Sequence, residues 1–208
     1  MSDTKQRLLD GTLAALREHG VTGVSARTIG AAAAVNQALV FYHFGSVDEL
    51  LGAACEQATR QRVDAFAERF AAVGTLRELL QVGRDLHAEE LERGNVSVLA
   101  QMLAAAQTGD RLAGPTAAAL RMWTDEIATV LHRLMAGSPV AEVADIPGLA
   151  RAVAAAFIGI ELYEGVDRAG AHHALEALDQ LAVLVEVVDE LGPIARRALR
   201  SRIKKARA

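Results

Sequence analysis

The sequence predicts an all-helical protein: a small three-helix head at the N-terminus followed by a larger helical body. Three observations carry this. Apolar residues make up 51% of the 208 residues but aromatics only 4%, so the core must come from Ala, Leu and Val, a helix-favouring mix. The four prolines, at 115, 139, 147 and 193, fall where helices would start or stop. No segment alternates polar and apolar residues with the period of two that a strand needs.

The first helix is expected over residues 4–19, where Leu9, Leu13 and Leu16 share one face and Gly20 ends the run. Ser25 then stands where an N-cap belongs, ahead of a short helix over 26–33. Ala32, Ala33 and Ala34 leave room for a close neighbour. Asn36 offers a second cap, for a helix over about 37–42, and Ser46 with Glu49 three residues on is a capping box for a third. That third helix meets no break from Gly52 to Gly74, and a helix of about 25 residues spans ~40 Å at 1.5 Å per residue. It would connect head and body mechanically. Further helices are expected over 75–93, 96–107, 115–136, 149–168 and 172–191, with a loop around Pro139 and Pro147.

Two short helices joined by a tight turn and backed by others are the geometry that places side chains in a DNA major groove. The residues that carry a more specific likeness are Ser25-Ala26-Arg27-Thr28-Ile29-Gly30, Val40-Phe41-Tyr42-His43-Phe44 and Ser46-Val47-Asp48-Glu49-Leu50. In order and spacing they resemble the helix-turn-helix of TetR-family transcriptional regulators, over about the first quarter of the chain. Two positions depart from the family pattern: Phe41 replaces the usual tyrosine and Val47 the usual lysine. Each change removes a group able to reach a phosphate.

The resemblance implies a homodimeric repressor that binds a palindromic double-stranded operator and leaves it when a small molecule binds. It also implies a division into a head (1–50), an effector-binding and dimerisation domain (51–192) and a basic tail (193–208). Base readout is expected from Gln37, with Asn36 at the helix start and Tyr42 near its end, because Gln pairs bidentately with adenine. Ala38 and Leu39 would touch thymine methyls. Phosphate contacts are expected from Arg27, Thr28, Tyr42 and Ser46. Phe41 and His43 complete the interface, their alternative being packing of the head, the role preferred for Phe44.

In the body, His87, Gln101, Met102, Met122, Trp123, Glu126, Ile127, Phe157 and Glu161 combine apolar area with polar tips and are candidate pocket residues, although Trp123 and the methionines read equally well as core filler. Ala152, Ala155, Ala156 and Gly159 make one helix face flat, and Leu178, Leu181, Val185 and Val188 form an aliphatic stripe on the next helix. Such faces suit a four-helix bundle between two copies, the alternative being the monomer's own core.

Net charge is −4, unevenly spread. The head is near neutral, residues 51–192 are acidic, and 193–208 hold seven basic and no acidic groups. That tail is a solvated final helix or a supplementary phosphate-binding segment. The head's basic residues Lys5, Arg7, Arg17 and Arg27 are expected on one DNA-facing side. Cys55 is the lone cysteine, expected as a small core residue. There is no GxSxG, HExxH, CxxC or Gly-rich phosphate loop, so neither an enzyme nor a metal or cofactor is expected. With no apolar run of ~18 residues and no charged-then-apolar leader, the expected location is the cytoplasm. A ligand-free architectural helical protein is the alternative reading.

Overall fold

A computed structural model describes residues 3–108, 110–138 and 144–189, together with 192, 195, 198 and 201. Among the described residues the chain forms nine helices and no strand. They are α1 (Asp3–Gly23), α2 (Ala26–Ala32), α3 (Ala38–Phe44), α4 (Val47–Ala72), α5 (Leu76–Glu92), α6 (Asn95–Thr108), α7 (Asp110–Leu134), α8 (Ile146–Glu164) and α9 (Arg168–Asp189). The expected basic tail lies almost wholly outside the described residues.

Packing divides the chain into two compact units that are not contiguous in sequence. One comprises Met1–Ala65 and Ala88–Met122, the other Phe66–His87 and Trp123–Ala208. The division cuts through α4, α5 and α7.

The first unit has two apolar clusters. Leu8, Leu9, Ala15, Ile29, Ala33, Val40, Leu50 and Ala54 close the head around α1 to α4. Leu16, Leu51, Met102 and Leu112 form a second cluster, with Val98, Ala105 and Cys55 partly buried against it. Leu8, Leu16, Ile29 and Leu50 are fully buried, and burying a side chain of that size contributes about 1.5–3 kcal/mol. Burial pushes the Cys55 thiol up to about 11. Its thiolate is therefore scarce at pH 8, and the thiolate is the reactive species. Alkylation of the native protein at pH 8 is expected to run at least ~100-fold slower than of the denatured chain, whose thiol ionises near 8.5; equal rates in a thiol-release assay would contradict this burial.

Pro115 was expected at a helix start but lies inside α7, which begins at Asp110. Its ring has a compensating partner: a Cβ on Gly52 of α4 would come within 2.8 Å of Pro115 Cγ, so ring and glycine pack in direct contact. Tertiary packing here overrides the local rule that proline opens a helix.

The second unit is built on Phe66, Phe70, Val73, Leu79, Val82, Val130, Leu131, Met135, Ile146 and Ala150. Arg133 Nη2 donates to the carbonyls of Phe70 and Val73, both at 2.8 Å, which satisfies backbone acceptors left open at the end of α4. Asp145 caps α8 by accepting from Gly148 N at 3.1 Å, and Pro147 sits in the first turn, where its missing N–H costs nothing. By length and composition α8 is apolar enough to cross a membrane, although no uninterrupted apolar run in the sequence is that long. Its Ala- and Ile-rich stretch outweighs one interior charge, Arg151, and Glu161 and Glu164 near its end are both paired with His87 of α5.

Candidate nucleic-acid interface

The short helix α3 is set in place by caps and by one buried side. Ser25 and Thr28 close a reciprocal capping box on α2: Thr28 N donates to Ser25 Oγ at 3.2 Å and Ser25 N to Thr28 Oγ1 at 2.8 Å. Thr28 is thus half-buried and its hydroxyl is engaged in the cap. Asn36 Oδ1 accepts from Ala38 N at 2.9 Å and opens α3. Ser46 Oγ accepts from Glu49 N at 3.1 Å, one half of the capping box expected for α4, and donates to Glu49 Oε2 at 3.2 Å in place of the reciprocal backbone bond.

The turn between α2 and α3 contains Ala34 at φ 52°, a left-handed conformation rare for a residue with a side chain. Arg7 of α1 holds this turn. Its Nη2 donates to the Ala33 carbonyl at 2.9 Å and the Ala34 carbonyl at 2.6 Å. These charge-assisted bonds work against the cost of a left-handed alanine, about 1–2 kcal/mol.

Val40 points inward and is fully buried, while Leu39, Phe44 and Val47 lie half-buried against the same core. Leu39 therefore faces the head more than a groove, and Phe44 and Val47 are packing residues. What α3 leaves outside is Gln37 at its start, Ala38, Phe41 and Tyr42, the last two 55% and 81% exposed. His43 is half-buried, with the Tyr42 ring edge-on at 4.8 Å. On α2, Arg27 is exposed, as are Ala31 and Ala32. The result is a convex helix face carrying an amide, two aromatic rings and a neighbouring guanidinium, with no acidic residue among them.

Two of the four basic residues expected to face DNA have partners within the protein. Arg7 is engaged with the helix-turn-helix turn, and Arg17 donates to Asn95 Oδ1 of α6 at 2.9 Å. Sequence periodicity gives no sign of either role, because both partners are remote in the chain.

The nine candidate pocket residues divide between the two units. Gln101, Met102 and Met122 belong to the first unit, where Met102 is 3% exposed among Leu16, Leu51 and Leu112. In the second unit Trp123 lies against Phe66 and Phe70, with ring centroids 6.4 and 6.3 Å away, and Ile127 is in the core. Glu126 is half-buried. The second unit does bring three together: the Phe157 ring faces Gly83 of α5, and His87 meets Glu161. His87 Nε2 contacts Glu164 and His87 Nδ1 lies 3.2 Å from Glu161 Oε1. The His87 contact and then the Arg168 guanidinium hold the Glu164 carboxyl below its usual range against the opposing effect of burial. Among the described residues no group of three or more His, Cys, Asp or Glu side chains is arranged to hold a metal ion. An open crevice of about 220 Å³ elsewhere in this unit, between His132, Met135 and Asp145–Pro147, contains none of the nine.

Of the residues considered for an interface between copies, Ala152, Ala155, Gly159 and Leu181 are exposed, while Ala156 and Leu178 are half-buried. The side chains of Val185 and Val188 lie outside the described residues. Leu162, Leu184 and Val187 extend the exposed apolar surface of α8 and α9, and the sequence gives no sign of them.

A capped, core-backed α3 beside an exposed α2 forms a helix-turn-helix, the arrangement that presents a short helix to a DNA major groove. Residues 8–54 match the family model of bacterial regulatory proteins of the tetR family. The chain also matches solved structures along nearly its whole length. One, from Rhodococcus sp. and assigned to the TetR-family transcriptional regulators, has TM-score 0.71 and 22% identity over 91% of this chain and 100% of that one. A TetR transcription regulator from Haloarcula marismortui has TM-score 0.69 and 18% identity over 88% and 98%. The multidrug binding protein EbrR, complexed with proflavin, has TM-score 0.59 and 26% identity over 86% and 99%. No curated protein sequence matches the chain. The head is thus similar to that of the tetR family, and the chain shares the fold of these regulators along most of its length.

Proposed function

We propose that the protein is a homodimeric, cytoplasmic repressor that binds a palindromic operator and is released from it by a small organic molecule. The observation that carries this reading is the exposed face of α3, Gln37, Ala38, Phe41 and Tyr42, standing on a fully buried Val40. Two exposed aromatic rings on a seven-residue helix lose favourable burial unless a partner covers them. Gln37 would read adenine, Arg27 and Tyr42 would hold phosphates, and the free N–H groups at the start of α4 would hold another. Asn36, Thr28, His43 and Ser46 act by fixing these helices. Residues 1–50 would then be the reading head and 51–192 the effector-binding and dimerisation region. Within the second unit, Phe157, His87 and Glu161 offer an aromatic ring beside charged groups, a setting for an organic effector. EbrR, of the same fold, holds proflavin, which supports a ligand of this kind.

Selection from a random duplex pool tests the reading: a palindrome is expected. Gln37→Ala should then lose about 1–3 kcal/mol of discrimination at one base pair of each half-site. Arg27→Ala should instead weaken all duplexes alike and reduce the salt slope by roughly one unit. An Arg27→Ala protein with an unchanged slope and altered base preference would contradict these roles.

A further inference from the structure

The helix α1 does not end cleanly. Gly20 breaks it at φ 68°, ψ 172°, a backbone region that is essentially restricted to glycine, and the chain resumes helical geometry from Val21 before turning into α2. A break of this kind leaves the next N–H without its partner four residues back. Val21 N finds one in another helix: it donates to Gln101 Oε1 of α6 at 2.8 Å, in a partly buried setting. The same oxygen would lie 2.7 Å from a Cβ built on Gly20. The amide of Gln101 therefore occupies the space that the missing side chain leaves and satisfies the donor that the break exposes.

Two further sets of contacts hold α6 on the head. At its first residue, Asn95 Oδ1 accepts from Arg17 Nη2 at 2.9 Å and Nε at 3.3 Å, and Asn95 Nδ2 donates to Glu90 Oε2 at 2.7 Å. Glu90 in turn accepts from Arg62 of α4 at 2.5 Å. Beside Gln101, Met102 is buried among Leu16, Leu51 and Leu112. Thus α6 is bound to α1 at its first residue and at its middle, and it belongs to the same compact unit as the head.

We infer that Gln101 is a positioning residue for the DNA-reading helix. By holding the break at Gly20–Val21 it fixes the path from α1 into α2. The orientation of α2 sets that of α3 through the Arg7-braced turn. A base contact requires donor and acceptor within about 2.7–3.2 Å, so a small rotation of the head breaks readout without removing any phosphate-binding group. Any movement of α6 would reach the recognition helix by this route. The inference rests on the DNA-binding reading above.

The test uses the full-length protein and a duplex that the wild type itself selects from a random pool. Three quantities are read: Kd of the DNA-competent fraction, the dependence of log Kd on log salt, and the exchange rate of the Val21 amide. Gln101→Leu is expected to bind the selected duplex at least ~10-fold more weakly with an unchanged salt slope. Its Val21 amide should exchange faster while the amides of Leu8 and Leu9 keep their protection. Gln101→Glu, which keeps the acceptor, should restore protection and most of the affinity. If Gln101→Leu does not fold, Gln101→Asn decides instead; its amide is one methylene too short to reach and should weaken binding in the same way. Wild-type affinity in the variant without the acceptor, or an unchanged Val21 exchange rate, would overturn the inference while leaving the DNA-binding reading intact. A wild-type protein that selects no duplex sinks both.

Discussion

Replacing Gly159 by tryptophan is expected to turn the protein into a monomer and to weaken operator binding at least ~100-fold. Gly159 lies on the exposed side of α8, and a Cβ built there meets nothing within 4 Å. The chain itself therefore has room for the indole, so its fold should survive. What would not survive is close packing of a second copy. The surface around Gly159 is apolar: Ala152, Ala155 and Leu162 share its face of α8, and Leu181 and Leu184 of the adjoining α9 are 58% and 62% exposed. A continuous aliphatic surface of this sort on two packed helices calls for a partner, and a two-fold axis supplies an identical one. Overpacking costs about 1–3 kcal/mol per site, and the symmetry places two such sites in one interface. A monomer could then hold only one half-site. Sedimentation and operator titration of the variant beside wild type measure both effects. Ala156→Trp is a poorer probe, because Ala156 is half-buried and its enlargement would disturb the monomer as well. A Gly159→Trp dimer with full operator affinity would place the interface on another surface.

The features legible in the sequence were those written in neighbouring residues. Ser46 and Glu49 announce a capping box by spacing alone, and the structure forms its Ser46 half, with Glu49 N donating to Ser46 Oγ. Asn36 announced the start of α3, which begins at Ala38, one residue later than expected. Leu9 and Leu16 showed the buried face of α1 by period. The features that were not legible depend on residues far apart in the chain. Arg7 looks like any surface cation of an N-terminal helix until Ala33 and Ala34 are folded beside it. Gln101 and Met102 read as pocket residues because an amide and a thioether in an apolar helix suggest a cavity. Packing instead carries them to α1, where they serve the head. Pro115 reads as a helix start unless Gly52 of α4 is known to receive its ring. The exposed stripe of Leu184 and Val187 was missed for a related reason: period alone cannot say which face of an apolar helix the monomer covers.

Even the mildest enlargement of Gly11 is expected to destabilise the head, against the trend of helix propensity. In the interior of a helix, alanine is favoured over glycine by about 0.8–1.0 kcal/mol, so Gly11→Ala in α1 should be stabilising on local grounds. Gly11 is buried, however, and a Cβ built on it would lie 2.7 Å from Ala33 Cβ, 2.7 Å from Ala33 N and 2.9 Å from Ala33 Cα. Two of those atoms are backbone, so no rotamer change relieves the contact, and α2 must move as a whole. Its movement would pull on the Ala33 and Ala34 carbonyls that Arg7 holds, and on the left-handed turn beyond them. Gly11→Ala is accordingly expected to lower stability by about 1–2 kcal/mol despite its propensity gain. Gly11→Val adds branching at the point of contact and should cost about 3 kcal/mol or more. Because the displaced helix is the one that supports α3, operator binding should be lost in Gly11→Val even where the second unit still unfolds at its own temperature. Calorimetry resolves the two units' transitions if they melt separately, and a binding titration reads the head directly. A Gly11→Ala protein more stable than wild type would mean that α1 and α2 do not approach this closely.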